Sequence, residues 1–593
     1  MWLFCFLVSA VSFFSTAIFA LVISNVAKKK YNVFNMLFAS TAIAAFFMFV
    51  PIHTINLELS VWGIFRAIML SVFNAIQLFP AGCDYSIVAE NITNCPDVIK
   101  SFYQAWMSGL FVMAPLFTFG FVLSLFKNVF ANIRYVYAYF RDVYVFSELN
   151  EKSFALANDI KNKNKKATIV FTDVFDDDEE KMYELIERTK EIGAINFKKD
   201  ILVVDFSKHS KNKELYLFTI GENETENMNQ ALKLIDNYKM RQNTHLYVFS
   251  TKIESELLLS TVDKGFIKVR RINEVQSLVN RILYEEGDLL FKSATTITDA
   301  EKEISVIIVG MGSHGTELVK ALTWYGQMDG YKIEINAFDV DPLAEEKFVA
   351  LAPELMHKDY NGVSVKGEAE YKITIHPNVD VNTQSFVDAI NKVTNATFVI
   401  VALGDDDVNI NTAVNLRMHF ERMGIHPTIQ AIVYNTQQKN ALAGIKNYRG
   451  QEYDIGFIGD IDSSYTEDVI IDSELEDLAL ERHLKWGNEE EFWAFEYNYR
   501  SSVASAIHLK ARINCGIPGA SKKEEDLTME ERDIIENLEH RRWNAYMRAE
   551  GYVYSGSKDK SSRNDLGKMH HDLIDFSSLS EEEKRKDSRV GTN

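Results

Sequence analysis

The chain has 593 residues, a hydrophobic content of 47% and a formal net charge of -20. This length accommodates three or four domains. Residues 1–130 contain six basic and four acidic residues, so the remainder carries a net charge of -22. Such an acidic soluble part excludes DNA or RNA as the main partner, because nucleic-acid binding requires a basic face.

The first 130 residues predict a helical membrane domain. Three stretches, 1–27, 31–57 and 101–126, contain no Asp, Glu, Lys or Arg. Each exceeds the roughly 20 residues that a helix needs to cross the hydrocarbon core of a bilayer. The predicted spans are therefore residues 2–27, 33–55 and 102–126.

Basic residues predict the orientation of these spans. The three lysines at 28–30 follow the first span, and Lys127, Arg134 and Arg141 follow the last one. Both flanks are expected on the cytoplasmic side. We therefore expect a multi-pass protein of the cell (inner) membrane, with its N-terminus outside and its C-terminal domains in the cytoplasm.

Residues 60–79 predict an amphipathic or re-entrant helix rather than a fourth full span. On a helical wheel, Gly63, Arg66, Asn74 and Gln77 fall on one side. Arg66 at the bilayer centre would also cost roughly 2.5–3.5 kcal/mol. This helix either lines a pore or braces the domain at the outer interface, and the residues leave both open.

The cysteine pattern predicts one disulfide and no metal site. No CxxC pair is present among the four cysteines. Cys83 and Cys95 close a short loop on the predicted outer side, where oxidation is possible. We expect a disulfide between them; two free thiols are the alternative.

From about residue 140 short apolar runs alternate with polar helical stretches, which is typical of parallel sheets with crossover helices. A first Rossmann-like unit is predicted over 131–295, and one of its predicted strands is DILVVDF at 200–206. Its first turn, SELNEKS at 147–153, lacks glycine, and Glu148 would repel a phosphate. This unit is therefore expected to be structural; binding of a ligand without a pyrophosphate is the alternative.

A second Rossmann-like unit, predicted over 300–470, carries a GxGxxG turn. The glycines permit a tight turn, close approach of a pyrophosphate and close packing of helix on strand. Asp339 ends the next predicted strand, where an acid accepts hydrogen bonds from ribose hydroxyl groups. The segment GDDD at 404–407 closes another strand at the same sheet edge. We predict a nucleotide or dinucleotide site here; a glycine turn kept for packing is the alternative. Its candidate residues are Gly310, Gly312, Ser313, His314, Gly315, Asp339, Asp341, Gly404 and Asp405.

Two such units behind a short membrane domain resemble the RCK, or TrkA-N, family. The resemblance rests on VIIVGMGSHG with Asp339 and covers about 140–460. It implies that an NAD-, ATP- or cyclic-nucleotide-like ligand binds at the turn and that the change is passed to membrane helices. No TVGYG-like filter occurs in the sequence, so potassium selectivity is not supported.

A helical connector is predicted over 471–524 and a small helical domain over 525–593. The latter contains, in order, Glu539-His540, Trp543, Gly551-Tyr552, Lys568, His570-His571, Leu573, Leu579 and Asp587. This pattern resembles the RyR domain of ryanodine receptors and bacterial proteins, with HHDL standing where that family tends to have a His-Pro pair. An indole and a guanidinium at helical spacing suit a purine face and a phosphate; a small core around Trp543 is the alternative. The candidate second site comprises His540, Arg542, Trp543, Tyr546, Tyr552, Lys568 and His570.

These patterns lead to one main functional hypothesis and two alternatives. The main one is a nucleotide-sensing membrane effector or channel, expected to be a homo-oligomer because three spans cannot enclose much of a pore. The RyR resemblance implies nucleotide signalling and antiphage defence. The alternatives are a housekeeping ion channel or transporter subunit under RCK-type control, and a membrane-anchored NAD(P)-dependent enzyme, for which no catalytic residues are evident.

Overall fold

The computed structural model describes residues 1–26, 33–55, 57, 60–174, 180–207, 209–298, 301–356, 371–443, 447–448, 450–471 and 473–592. The chain forms two compact units, residues 1–137 and 138–593.

The N-terminal unit is helical. Helices α1 and α2 contain windows, Trp2–Phe19 and Met36–His53, that are long and apolar enough to cross a membrane by length and composition. The third predicted span lies within α5, whose side chains from 120 to 130 fall outside the described residues, as do the lysines at 28–30. The helices are α1 (Trp2–Val26), α2 (Val33–His53), α3 (Val61–Gln77), α4 (Ser86–Asn91) and α5 (Asp97–Tyr137).

Helix α3 confirms a helix at the position predicted over 60–79, but its exposed face is the apolar one. The side chains it buries are small or polar: Ala67, Ser71, Asn74 and Ala75. Asn74 Nδ2 lies 2.8 Å from His53 Nε2 of α2. The large side chains Trp62, Ile64, Phe65, Ile68, Met69, Phe73 and Ile76 are exposed instead. Such an arrangement suits an apolar rather than an aqueous environment.

Cys83 and Cys95 are free thiols in the structure, so the predicted disulfide is not formed. Cys95 is buried in the apolar cluster of the N-terminal unit, and Cys83 packs against the same cluster. Each thiol therefore behaves as a small apolar side chain in that cluster.

The first sheet of the second unit has six parallel strands in the order β3-β2-β1-β4-β5-β6. This is the Rossmann order, with the switch point between β1 and β4. Its elements are β1 (Val143–Phe146), α6 (Glu151–Lys163), β2 (Thr168–Phe171), α7 (Glu180–Glu191), β3 (Ile195–Asn196), β4 (Leu215–Thr219), α8 (Glu224–Tyr238), β5 (Thr244–Phe249), α9 (Ile253–Thr261), β6 (Lys268–Ile272), α10 (Glu274–Glu286) and α11 (Asp288–Lys292).

The prediction of a strand at 200–206 is wrong, because this segment forms a turn. The Asp200 carboxylate accepts a hydrogen bond from the backbone N–H of Leu202 at 2.7 Å, and the Val203 N–H donates to the Asp200 carbonyl. This aspartate turn reverses the chain. The buried apolar side chains of the segment serve the core without joining the sheet.

The second sheet repeats the order, β10-β9-β8-β11-β12-β15, and β7 pairs with β8 in antiparallel orientation. Apart from β7, its paired strands run parallel. Its elements are β7 (Thr295–Thr298), β8 (Glu301–Val309), α12 (Ser313–Tyr325), β9 (Tyr331–Phe338), α13 (Ala344–Leu351), β10 (Tyr371–His376), α14 (Gln384–Ile390), β11 (Phe398–Val401), α15 (Asp406–Met423), β12 (Thr428–Ile432), α16 (Thr436–Ala443), β13 (Asn447–Tyr448), β14 (Gln451–Glu452), β15 (Ile455–Ile458), α17 (Ile461–Ser464) and α18 (Glu467–Ile470).

The C-terminal residues share a core with the second sheet. Leu538, Tyr546 and Met547 belong to the same buried cluster as Leu318 and Trp324 of α12. The region predicted as a small separate domain is therefore packed as part of the larger unit. Its elements are α19 (Glu474–His483), α20 (Glu489–Ala494), α21 (Glu496–Asn514), α22 (Met529–Ala549), β16 (Val553–Tyr554), β17 (Met569–His570) and α23 (Glu581–Gly591).

Candidate functional site

The glycine turn has the geometry of a dinucleotide-binding turn. Gly310 has φ +99°, and a Cβ there would lie 2.5 Å from the Ala402 carbonyl oxygen. A Cβ at Gly315 would lie 1.7 Å from the Gly310 carbonyl oxygen. At Gly312, by contrast, a Cβ would meet nothing within 4 Å. The outer glycines are therefore required by packing, and the middle one leaves open space where a phosphate approaches in such turns.

Asp339 holds this turn against the next strand. Its Oδ2 accepts a hydrogen bond from the Met311 N–H at 2.5 Å, and its Oδ1 accepts one from the Asp341 N–H at 2.7 Å. The side chain of Asp341 pairs with Lys347. The carboxylate therefore already has two backbone partners, with which ribose hydroxyl groups would compete.

The neighbouring strand β11 brings two more predicted residues to the same sheet edge. Gly404 has φ +84°, and Asp405 caps α15 by accepting a hydrogen bond from the Val408 N–H at 3.0 Å. Because β8 lies between β9 and β11, the predicted glycines and acids converge at the switch point of the sheet.

His314 of the turn faces a mainly apolar cavity of about 290 Å³. Its ring lies 3.2 Å from the Tyr434 hydroxyl. The cavity is also lined by Lys152, Ile272 and Glu274 of the first sheet unit. Burial lowers the pKa of His314, with a smaller opposing effect from Glu274. The histidine is therefore held neutral between the two Rossmann-like units.

The corresponding turn of the first unit is filled by its own side chains. Asn150 caps α6 and forms a capping box with Ser153. Glu148 Oε2 lies 2.6 Å from the position that a Cβ on Gly221 would occupy. Burial, and then the charge of Glu222, raise the pKa of Glu148. A half-buried carboxyl group at this place leaves a phosphate no favourable partner.

A second cavity, of about 380 Å³, lies between α21, α22 and the C-terminal segment; it is called the C-terminal cavity below. Its volume is within the range of small-molecule sites. Aromatic side chains line one part of it, basic side chains another. The lining residues used below are Tyr497, Ser505, Glu539, His540, Arg542, Trp543, Lys560, Arg563, His570, His571, Glu583, Lys586 and Asp587.

Four of the seven residues predicted for the second site line this cavity: His540, Arg542, Trp543 and His570. Helical spacing on α22 and the β17 position bring them together. Trp543 lies with its ring centroid 4.9 Å from that of His570, edge to face. Both a helix and a distant strand therefore contribute to one wall.

The other three predicted residues have different surroundings. Tyr546 is buried against Trp324 of α12, with ring centroids 6.2 Å apart. Tyr552 is buried in the shared core. Lys568 donates a hydrogen bond from Nζ to the Glu550 carbonyl at 2.7 Å. None of the three lines the C-terminal cavity.

Buried charges in the cavity are largely paired. Arg542 Nη2 donates to Glu539 Oε1 at 2.7 Å, and Arg512 also contacts Glu539. Burial would raise the pKa of Glu539, but the charges of Arg542 and Arg512 outweigh it and hold the pKa below its usual value. The carboxylate is therefore charged and fixed, and it orients the guanidinium of Arg542.

A second buried pair joins α22 to α23. His540 Nδ1 lies 3.4 Å from Asp587 Oδ2, and His540 Nε2 donates to the Ile574 carbonyl at 2.8 Å. Burial alone lowers the pKa of His540, but its hydrogen bond and attraction to Asp587 raise it overall. Burial raises the pKa of Asp587 to about 6, against the opposing effect of His540.

One cluster of possible metal ligands comprises His570, His571 and Asp572, whose ligand atoms lie within 4.8 Å of one another. The two imidazole rings stack nearly parallel, at 11° and 4.6 Å. Lone pairs lie in the ring plane, so parallel rings do not point at a common ion. The Nδ1 of His570 also accepts the Asp572 N–H at 3.1 Å. The site does not fit a metal ion.

Sequence reasoning missed several lining residues. Ser505 lies two helical turns after Tyr497 on α21, the helix that also carries Arg500, His508 and Lys510. Those three instead bind protein groups: Glu550, the Gln327 carbonyl and the Tyr284 carbonyl. Lys560 and Arg563 lie in a loop without periodicity, so no signal in the sequence marks them.

No family model and no curated protein matches the chain. The shape and chemistry of the cavities therefore carry the functional argument.

Proposed function

We propose that this chain is a nucleotide-sensing membrane effector. A small nucleotide binds in the C-terminal cavity, and its binding changes the arrangement of the N-terminal helices so that they open a channel or disrupt the membrane. The proposal makes the chain a sensor and effector in one polypeptide, without catalytic residues.

One observation supports the ligand class more than any other. The buried guanidinium of Arg542 is 1% exposed, and its Nη1 has no hydrogen-bond partner although it lines the C-terminal cavity beside Trp543. An unpartnered buried donor is costly. An aromatic face next to a free guanidinium nitrogen is suited to a nucleobase with a phosphorylated sugar.

Contacts within the second unit connect the cavity to both Rossmann-like units. Helix α22 packs against α12, the helix that begins at the glycine turn. On α21, Arg500 pairs with Glu550 at 2.8 Å and with Glu256 of the first sheet unit at 3.1 Å. The first sheet unit follows α5 directly in the chain. Moving such a system from 1:99 to 99:1 needs roughly 5.5 kcal/mol of differential binding.

Two apolar helices and the exposed apolar face of α3 support membrane insertion. A multi-pass domain in the cell membrane, with the second unit in the cytoplasm, is part of the proposal. So is a homo-oligomer, because few helices per chain cannot surround a pore. The assignment to antiphage defence follows from the RyR resemblance.

The experiment is a liposome efflux assay with the purified full-length protein. The probes are NAD, ATP, ADP-ribose and cyclic oligonucleotides, each preceded by a thermal-shift measurement of binding. We expect one probe to raise the melting temperature and to trigger efflux of an entrapped dye. Trp543→Leu should weaken the response about tenfold, since stacking of a base contributes about 1–3 kcal/mol.

Trp493→Leu is the matched control, because Trp493 is also half-buried in this unit but lines a different cavity. It should leave the response to the probe unchanged. If every probe fails to bind, or if the two variants behave alike, the proposed function is wrong.

A further inference from the structure

The polar side chains that line the C-terminal cavity differ widely in exposure. The buried ones are called its floor below, and the exposed ones its mouth. At its floor the side chains of Arg542 and His571 are 1% and 8% exposed, and Ser505 is 4% exposed. At its mouth Lys560, Lys586 and Arg563 are 62%, 48% and 40% exposed. The cavity therefore presents two chemically different ends to a ligand.

The floor has unused hydrogen-bonding capacity. Arg542 Nη1, Ser505 Oγ and His571 Nδ1 are buried without a hydrogen-bond partner. The other ring nitrogen of His571, Nε2, lies 3.2 Å from Asp572 Oδ2. A guanidinium only donates, whereas a hydroxyl both donates and accepts. This mixture matches the edge of a nucleobase, which carries donors and acceptors side by side. A phosphate offers acceptors alone.

The mouth contains three exposed cationic side chains, those of Lys560, Lys586 and Arg563. Lys560 and Lys586 share the Glu583 carboxylate, at 2.9 and 2.8 Å, and Arg563 pairs with Asp565 at 2.9 Å. The three cations are exposed and solvent screens their charges, whereas the Glu583 carboxylate is only 13% exposed. The cations can therefore turn to a phosphate at low cost, unlike Arg542, which Glu539 holds in place.

Aromatic side chains lie between the two ends. Trp543 and Tyr497 line the cavity and are half-buried. A planar base entering toward the floor passes along these rings, and its sugar then reaches the level of the exposed cations.

We infer that the cavity binds a nucleotide with its base pointing inward. The floor forms hydrogen bonds with the edge of the base, and the mouth binds the phosphate. This inference rests on the proposed function and adds the orientation and the minimal ligand: one nucleoside with a phosphate on its outward side. A volume of about 380 Å³ is near the lower end of ligand pockets, which suits one nucleoside unit inside.

The test compares nucleosides with their 5′-monophosphates by calorimetry on the full-length protein in detergent. The probes are adenosine with AMP and guanosine with GMP. We expect one monophosphate to bind at least tenfold more tightly than its nucleoside. Lys560→Gln and Lys586→Gln should each reduce that ratio three- to tenfold without changing nucleoside affinity. Ser505→Leu, which fills the floor, should abolish binding of both probes.

Lys584→Gln is the matched control. Lys584 forms the same i,i+3 pair on α23, with Glu581, that Lys586 forms with Glu583, but it does not line the cavity. Thermal melting of each variant shows whether it is folded.

The outcomes separate the two claims. If Trp543→Leu abolishes binding but the mouth variants leave the ratio unchanged, or weaken the nucleoside equally, the orientation is wrong while the proposed function stands. If neither these probes nor those of the efflux assay bind the wild-type protein, both are wrong.

Discussion

Lys320 of α12 and Glu550, which follows α22, lie 3.8 Å apart from Nζ to Oε1. Both side chains are about nine-tenths buried, and Glu550 also pairs with Arg500 of α21. One carboxylate thus joins the helix of the glycine turn, the connector helix and the C-terminal residues. The proposed function would use this cluster to link the C-terminal cavity to the Rossmann-like units.

Replacing Glu550 with Gln should destabilise the protein at pH 7. Burial opposes the charge of Glu550, but Arg500, Lys320 and Lys568 outweigh it and lower its pKa from 4.5 to about 2. The difference corresponds to about 3 kcal/mol. Because the pKa is lower in the folded state, this stability is present above about pH 4.5 and is lost as the pH falls toward 2.

Thermal melting of wild type and Glu550→Gln should therefore differ strongly at pH 7 and less at pH 3. The exposed carboxylate of Glu581, which pairs with Lys584, provides the control variant Glu581→Gln, which should change little at either pH. Equal destabilisation by Glu550→Gln at pH 7 and pH 3 would show that the charge of Glu550 is not responsible.

Replacement by alanine should destabilise the protein strongly at Gly315 and hardly at all at Gly312. At Gly315 the new methyl group would collide with the Gly310 carbonyl, so Gly315→Ala should cost several kcal/mol, as overpacking does. At Gly312 the space is open and φ is -64°, so Gly312→Ala should change the free energy of unfolding by less than about 1 kcal/mol. Chemical denaturation measures the free energy of unfolding of both variants. A large decrease for Gly312→Ala would contradict the geometry of the turn.

Asn74→Leu in α3 should destabilise the N-terminal unit although it makes the helix more apolar. Asn74 is buried and contacts His53 of α2, and its loss should cost about 1–2 kcal/mol. Phe73→Leu, on the exposed face next to it, should cost almost nothing in detergent. Melting followed by size-exclusion chromatography measures both. If Phe73→Leu were the more damaging change, the assignment of the inner face would be wrong.

Glu148→Gln in the first unit should stabilise the fold at neutral pH. The pKa of Glu148 is raised mainly by burial, so ionisation above that pKa works against folding. Removing the charge removes this penalty, and the gain should disappear below about pH 4.5, where the unfolded state is also protonated. Melting temperatures from pH 4 to 8 test this; a loss of stability at pH 7 would mean that the ionised carboxylate is needed.

Local sequence patterns predicted much of the fold. Alternating strands and helices gave both Rossmann-like units, and GxGxxG with Asp339 marked the turn that the structure places at the switch point. The short edge strands were harder: β3 has two residues, and the segment at 200–206 that resembled a strand is a turn started by one aspartate side chain. Apolar content alone does not distinguish a buried turn from a buried strand.

The candidate site was predictable only in part. His540, Arg542 and Trp543 follow one helix, so their proximity is a matter of helical spacing. Lys560, Arg563 and Ser505 reach the same cavity from other segments, and no local rule connects them to α22.

By itself the sequence determined the apolar N-terminal helices and the alternation of strands and helices that produces parallel sheets. It also determined the tight turn, through its glycines. Each depends on interactions between residues close together in the chain. The tertiary structure alone decided which face of α3 is buried, that Cys83 and Cys95 stay free, and that α22 shares a core with α12 around a cavity with an aromatic wall and a basic mouth. These features depend on packing between segments far apart in sequence, where complementary shape and charge select one arrangement among many with the same local patterns.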